Sequence, residues 1–142
     1  LLADPYLQAA PPKSTGRDYF NLPWARARFP GLSDLPVADV QRTFCELTAR
    51  SIAAAILRHA PATGRLLVCG GGARNAFLMS LLEQQLPQAQ IETTDAHGLD
   101  KTWVEAAAFA WLAVQTFLGR PGNLPAVTGA SRATILGGLY RA

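Results

Sequence analysis

Residues 65–86 read RLLVCGGGARNAFLMSLLEQQL: a short apolar run, three consecutive glycines, and then an apolar repeat at helical spacing. No other part of the chain restricts its fold so strongly. Arg65 to Cys69 has the length and composition of a short strand, and Phe77, Leu78, Leu81, Leu82 and Leu86 fall on one side of a helix from Ala73 to Leu86. QIETT, Gln90 to Thr94, reads as a second strand. A helix that carries the chain from one strand to the next sets the two strands parallel. The expected class is α/β, with short parallel strands flanked by helices.

The flanking segments fit around that unit. Val37, Val40, Phe44, Leu47, Ile52 and Ile56 form the apolar side of a helix from Val37 to His59, entered at Pro36 and ended by Pro61 and Gly64. Lys101 to Leu118 is apolar almost all round, so this helix is expected to be wrapped by protein on most sides. Trp103 and Trp111 on it are expected to pack the core. Residues 9–35 are rich in Pro, Gly and short polar residues; they predict loop with a short helix capped by Ser14 or Thr15 that ends before Pro23. The tail after Gly122 predicts a loop and a short edge strand. LLADPYLQ reads as the tail of a helix cut in mid-element, which makes the chain a piece of something longer. With 142 residues, one structural domain is expected: a loop-rich segment over 1–35 and an α/β lobe over 36–142.

Charge and cysteine usage narrow the function. Thirteen Lys+Arg against ten Asp+Glu leave a net charge of +3, and the arginines are scattered, so neither nucleic acid nor a membrane is an expected partner. No apolar run reaches the ~20 residues a bilayer span requires. Cys45 and Cys69 form no C-x-x-C pair and read as small apolar core residues in a reducing cytoplasm. His59 and His97 lack ligand-spaced neighbours, so no zinc site is expected.

Three ordered glycines are costly, because glycine gives up more backbone freedom on folding than any other residue. A tight turn needing positive φ accounts for one of them well and for three poorly. A ligand lying against bare backbone accounts for all three. Gly70-x-Gly72 with Asp95 after the next strand imitates a dinucleotide fingerprint, although Asn75 stands where its third glycine belongs. A dinucleotide-binding oxidoreductase domain is therefore one alternative, and a non-catalytic interaction module is another. Glu105 is anomalous on so apolar a helix. Thr102-x-x-Glu105 spells a capping box, which gives it a structural reading beside a ligand-contacting one. Lys13, Ser14, Thr15 and Arg17 make a polar knot that reads as a capped short helix with a solvated basic edge, or as a contact to substrate or a partner subunit.

CGGGARNAFLM resembles the adenosine motif of the sugar kinase, Hsp70 and actin superfamily, in which a glycine-rich strand-to-helix turn lies against the purine nucleoside. Together with PPKSTGRDYFN, ETTDAHGLDKTWVEAAAFAWLA and GRPGNLPAVTGASRATILGGLY, in that order from one end of the chain to the other, it resembles the anhydro-N-acetylmuramic acid kinases. The resemblance is to the C-terminal part of that family. Neither its GTSMDG phosphate loop nor the DTGPGN segment with its catalytic aspartate occurs in these residues.

The resemblance implies the C-terminal lobe of an actin-like ATPase (ribonuclease H-like) fold. It implies a cytoplasmic enzyme of murein recycling that opens the 1,6-anhydro bond of anhydro-N-acetylmuramic acid and moves the γ-phosphoryl of ATP to O6. ATP and Mg²⁺ are the implied cofactors, with the metal ligands in an N-terminal lobe, and a homodimer is the implied assembly. Gly70, Gly71, Gly72 and Asn75 are the implied nucleotide contacts, with Asn75 equally readable as a helix cap, and Glu105 is the implied sugar contact. The chain alone is then expected to be inactive.

Overall fold

The two strands pair in parallel in a computed structural model that describes residues 1–140. β1 (Arg65–Val68) and β2 (Gln90–Thr93) run in register from Arg65 opposite Gln90 to Val68 opposite Thr93. Between them α4 (Ala76–Gln85) makes the crossover that the sequence requires. Ahead of them lie α1 (Pro5–Gln8), α2 (Leu22–Arg28) and α3 (Val37–His59); after them come α5 (Val104–Phe117) and α6 (Pro125–Thr128). The result is α/β, as expected, and no helix is long and apolar enough to cross a membrane among the described residues.

The core is small and sits where α3 lies across α4. Ala49, Leu81 and Leu82 are buried there, with Cys45, Val68, Leu78, Met79 and Ile91 packed around them. Leu86 is fully buried just beyond. On α3 the deepest residues are Ala49 and Ala53, one turn apart, while Val37 and Ile52 face outward. Of the expected apolar stripe of α3, Val40, Phe44, Leu47 and Ile56 are half-buried, while the deepest contact with α4 is made by alanine, with the leucines of α4 filling the space. Phe77 is also partly outside the core, under the Arg42 guanidinium at 5.1 Å.

Several local expectations are corrected. Pro23 opens α2 instead of stopping a helix before it. Asn21 caps α2 by accepting from Trp24 N–H at 2.9 Å, and proline costs nothing in a first turn, where its missing N–H would have no partner. Asp4 caps α1, accepting from Tyr6 N–H at 2.9 Å. Asp4 then anchors the whole segment: buried itself, it accepts from Tyr19 Oη at 3.0 Å, Trp24 Nε1 at 2.9 Å and Arg28 Nη2 at 2.7 Å. Burial pushes its carboxyl up, but the bonds from Trp24, Arg28, Tyr6 and Tyr19 outweigh that and hold it far below the ordinary carboxylate range.

The tail forms the α6 turn and no strand among its described residues. Asn123 staples it, accepting from Thr134 N–H at 2.6 Å and donating to Arg132 C=O at 3.0 Å. Thr116 on α5 donates to Leu136 C=O, which lays the tail along the end of that helix. Most of the rest of α5 is exposed. Phe109 and Phe117 are 65% and 75% exposed, and Trp103 and Trp111 are exposed too, so the two tryptophans do not pack this core. The expectation of a wrapped helix fails among the described residues, since they cover only part of it.

Candidate functional site

The glycine turn leaves the C-terminal end of β1, the end at which ligands of open parallel sheets are bound. Cys69 follows β1 and is exposed, and Cys45 is half-buried, so only Cys45 approaches the expected core role. Gly70 has φ 78° and ψ −170°, a backbone region that side chains disfavour. Gly71 and Gly72 are not in that region. A turn therefore explains Gly70 and leaves the other two to be explained by space. A Cβ built on Gly70 or Gly71 would meet nothing within 4 Å, and one on Gly72 would meet only Leu78 Cδ2 at 3.5 Å. Among the described residues, no side chain fills the ground in front of Gly70 and Gly71.

The turn does not run straight into an α-helix. Gly71–Arg74 make a short 3₁₀ turn, and α4 begins only after Asn75. Asn75 Oδ1 accepts from Leu78 N–H at 3.1 Å, and its Nδ2 donates to Cys45 Sγ at 3.5 Å. The capping reading of Asn75 is thus realised in this structure, and its side chain ties α4 to α3. One of the first N–H groups of α4 is thus satisfied by Asn75 within the chain. What the turn presents at Gly70 and Gly71 is bare backbone facing open space.

Asp95 lies at the end of β2, beside the turn. Its Oδ2 accepts from Lys101 Nζ and from Thr93 Oγ1, each at 2.7 Å, and its Oδ1 accepts from Lys101 N–H at 3.1 Å. The bond from Lys101 leads the interactions that hold its carboxyl near a pKa of about 2. Both oxygens are thus engaged within the fold, Oδ2 twice and Oδ1 once.

Glu105 stands in the first turn of α5, exposed and without a hydrogen-bond or ion-pair partner among the described residues. The capping box is not formed. Thr102 instead donates both its N–H and its Oγ1 to Asp100 Oδ1, at 2.7 and 2.6 Å, and α5 starts at Val104 with no side-chain cap. Asp100 lies two residues before Thr102, the spacing at which a carboxylate closes a turn on its own backbone, and that turn engages Thr102 ahead of α5. Glu105 is thus left as a free carboxylate on an apolar helix. Lys13 donates to Tyr6 C=O at 2.8 Å and lies 4.8 Å from the Tyr6 ring centre, so part of the polar knot is used inside the fold. Sequence reasoning missed Lys101, whose carbonyl accepts from Gly70 N–H at 2.7 Å. No spacing signal marks a backbone carbonyl. Among the described residues there is no cluster of three His, Cys, Asp or Glu side chains fit to hold a metal.

Comparison with known proteins accords with the resemblance. The family model described as Anhydro-N-acetylmuramic acid kinase matches residues 1–142. The chain is 51% identical over 142 residues to the Anhydro-N-acetylmuramic acid kinase of Xanthomonas campestris pv. campestris (strain 8004), covering 100% of this chain and 37% of the relative. For the protein of that name from Shewanella sp. (strain ANA-3) the identity is 51%, over 100% and 38% of the two chains. For that of Coxiella burnetii (strain Dugway 5J108-111) it is 49% over 140 residues, 99% and 37%. The chain therefore spans little more than a third of the length of these curated relatives. It belongs to the anhydro-N-acetylmuramic acid kinase family.

Proposed function

We propose that this chain is the nucleoside-binding, C-terminal portion of an ATP-dependent kinase with an actin-like fold. The whole enzyme opens the 1,6-anhydro bond of anhydro-N-acetylmuramic acid and transfers the γ-phosphoryl of ATP to O6, giving N-acetylmuramate 6-phosphate for murein recycling in the cytoplasm. The observation that carries the reading is the open backbone at Gly70 and Gly71, at the carboxyl end of a parallel strand, in a chain of a kinase family.

Within this reading the three glycines take the adenosine face, and Asn75 acts chiefly by fixing the start of α4. Glu105 is the candidate sugar contact, because a carboxylate with no partner on an apolar helix is free to accept from sugar hydroxyls. Phosphoryl transfer also requires a base to activate water and charge neutralisation at the β and γ oxygens. Residues 1–142 contain neither the GTSMDG nor the DTGPGN motif, so the phosphate loop, the base and the Mg²⁺ ligands are assigned to the remaining polypeptide. Mg²⁺ would supply the charge neutralisation. The apolar face of α5 is where that polypeptide is proposed to pack, and homodimerisation is carried over from the family resemblance.

The test is calorimetric titration of the full-length protein with a non-hydrolysable ATP analogue and with NAD, repeated on Gly71→Val. Gly71 has room for the side chain and no positive φ, so the variant is expected to fold. Binding of the ATP analogue but not NAD, weakened at least tenfold by Gly71→Val, is the expected result. Preference for NAD would favour the dinucleotide alternative.

A further inference from the structure

The loop that joins β2 to α5 closes back on the glycine turn. Lys101 C=O accepts from Gly70 N–H at 2.7 Å, the residue of that turn with positive φ. Lys101 is in turn held at two atoms by one carboxylate, through its N–H on Asp95 Oδ1 and its Nζ on Asp95 Oδ2. Thr93 Oγ1, at the end of β2, donates to that same Oδ2. Two backbone bonds close the loop between them: Gly98 N–H to Asp95 C=O and Leu99 N–H to Thr94 C=O, both at 3.2 Å. Asp95 thereby ties the sheet to Lys101, and Lys101 ties the loop to Gly70.

We propose that Asp95 is a positioning residue for nucleotide binding: acting through Lys101, it holds the Gly70 peptide so that the bare face of the turn is preformed for the nucleoside. This rests on the reading of the glycine turn as the nucleoside face. Charge-assisted bonds are the strong ones, and the two Lys101 bonds and the Thr93 bond all end on one carboxylate. Preorganising a loop lowers the ordering cost of binding. Asp95 does not touch the reacting atoms, so loosening the latch weakens binding of ATP without changing the chemical step.

The experiment uses the full-length enzyme with steady-state kinetics in ATP and in the anhydro-sugar, and hydrogen–deuterium exchange over residues 66–76. Asp95→Asn keeps the size but loses an acceptor edge. It is expected to raise KM for ATP about tenfold, leave kcat and KM for the sugar within about twofold, and speed exchange over 66–76. Lys101→Met should do the same, and Lys101→Arg should restore most of the affinity because it keeps the charge on Asp95. If Asp95→Asn does not fold, the Lys101 pair carries the comparison.

An unchanged KM for ATP in Asp95→Asn, with Gly71→Val raising it, overturns the positioning role alone. Unchanged ATP affinity in Gly71→Val overturns the nucleoside reading and this inference with it. A collapse of kcat in Lys101→Met, with Asp95→Asn harmless, would make Lys101 a phosphate contact and also overturn the latch.

Discussion

At Gly70 the chain adopts φ 78° with ψ −170°, a region essentially reserved for glycine. Gly70→Ala is expected to cost about 1–3 kcal/mol in a denaturant titration. Gly71→Ala, with open space and ordinary φ, should cost less than about 1 kcal/mol. Equal losses at the two positions would contradict the division of labour between them. Asp4 supplies a different single-residue effect. Its folded pKa lies below the ordinary value of about 3.9. Its contribution to stability is therefore complete above that value and disappears as pH falls through the depressed folded one. Asp4→Asn should lower the unfolding midpoint at pH 7, and the gap to the native protein should narrow steadily between pH 4 and pH 2. A gap that stays constant over that range would mean the carboxylate charge is not what Trp24, Arg28 and Tyr19 are holding.

Among the elements, the α3–α4 seam carries the core, and it is sensitive in both directions. Leu82→Ala removes a side chain that is 1% exposed and should cost about 2–5 kcal/mol. Ala49→Leu inserts bulk into the fully buried cluster with Leu81 and Leu82 and should cost about 1–3 kcal/mol, whereas Val37→Ala, far out on the exposed side, should change the midpoint little. The α4 half of this seam was legible from sequence, since Leu81, Leu82 and Leu86 repeat at helical spacing. The α3 half was not, because an alanine seam has no hydropathy signature and only the partner helix reveals it. β1 and β2 fell within one residue of their expected ends. Pro23 and Asn21 were misread because a proline marks both a helix start and a helix stop, and only the cap three residues before the Trp24 bond closes tells them apart. Of the site, the position of the open turn was legible from its three glycines, while the Asp95–Lys101–Gly70 latch was not. It depends on a carbonyl, and every residue has one.

For the whole molecule, the decisive mismatch is between α5 and its surroundings. A helix bearing exposed Phe109, Trp111, Val114 and Phe117 presents an apolar face larger than water tolerates well, and residues 1–140 offer nothing that covers most of it. The relatives carry well over half of their length beyond the region matched here, which is ample protein to bury it. On the proposed reading, α5 and the glycine turn belong to a cleft that is completed only by that remaining polypeptide. Residues 1–142 expressed alone should then bind a hydrophobic dye strongly and show no transfer of phosphate to anhydro-N-acetylmuramic acid. Co-expression with the rest of the protein as a separate chain should quench the dye signal and restore turnover together, because one docking event both covers α5 and brings in the base and the phosphate loop. Phe109→Lys and Phe117→Lys should block that recovery while leaving the α3–α4 core intact by circular dichroism. Turnover by residues 1–142 alone would refute the division of the enzyme, and recovery undisturbed by the lysines would place the contact on another face.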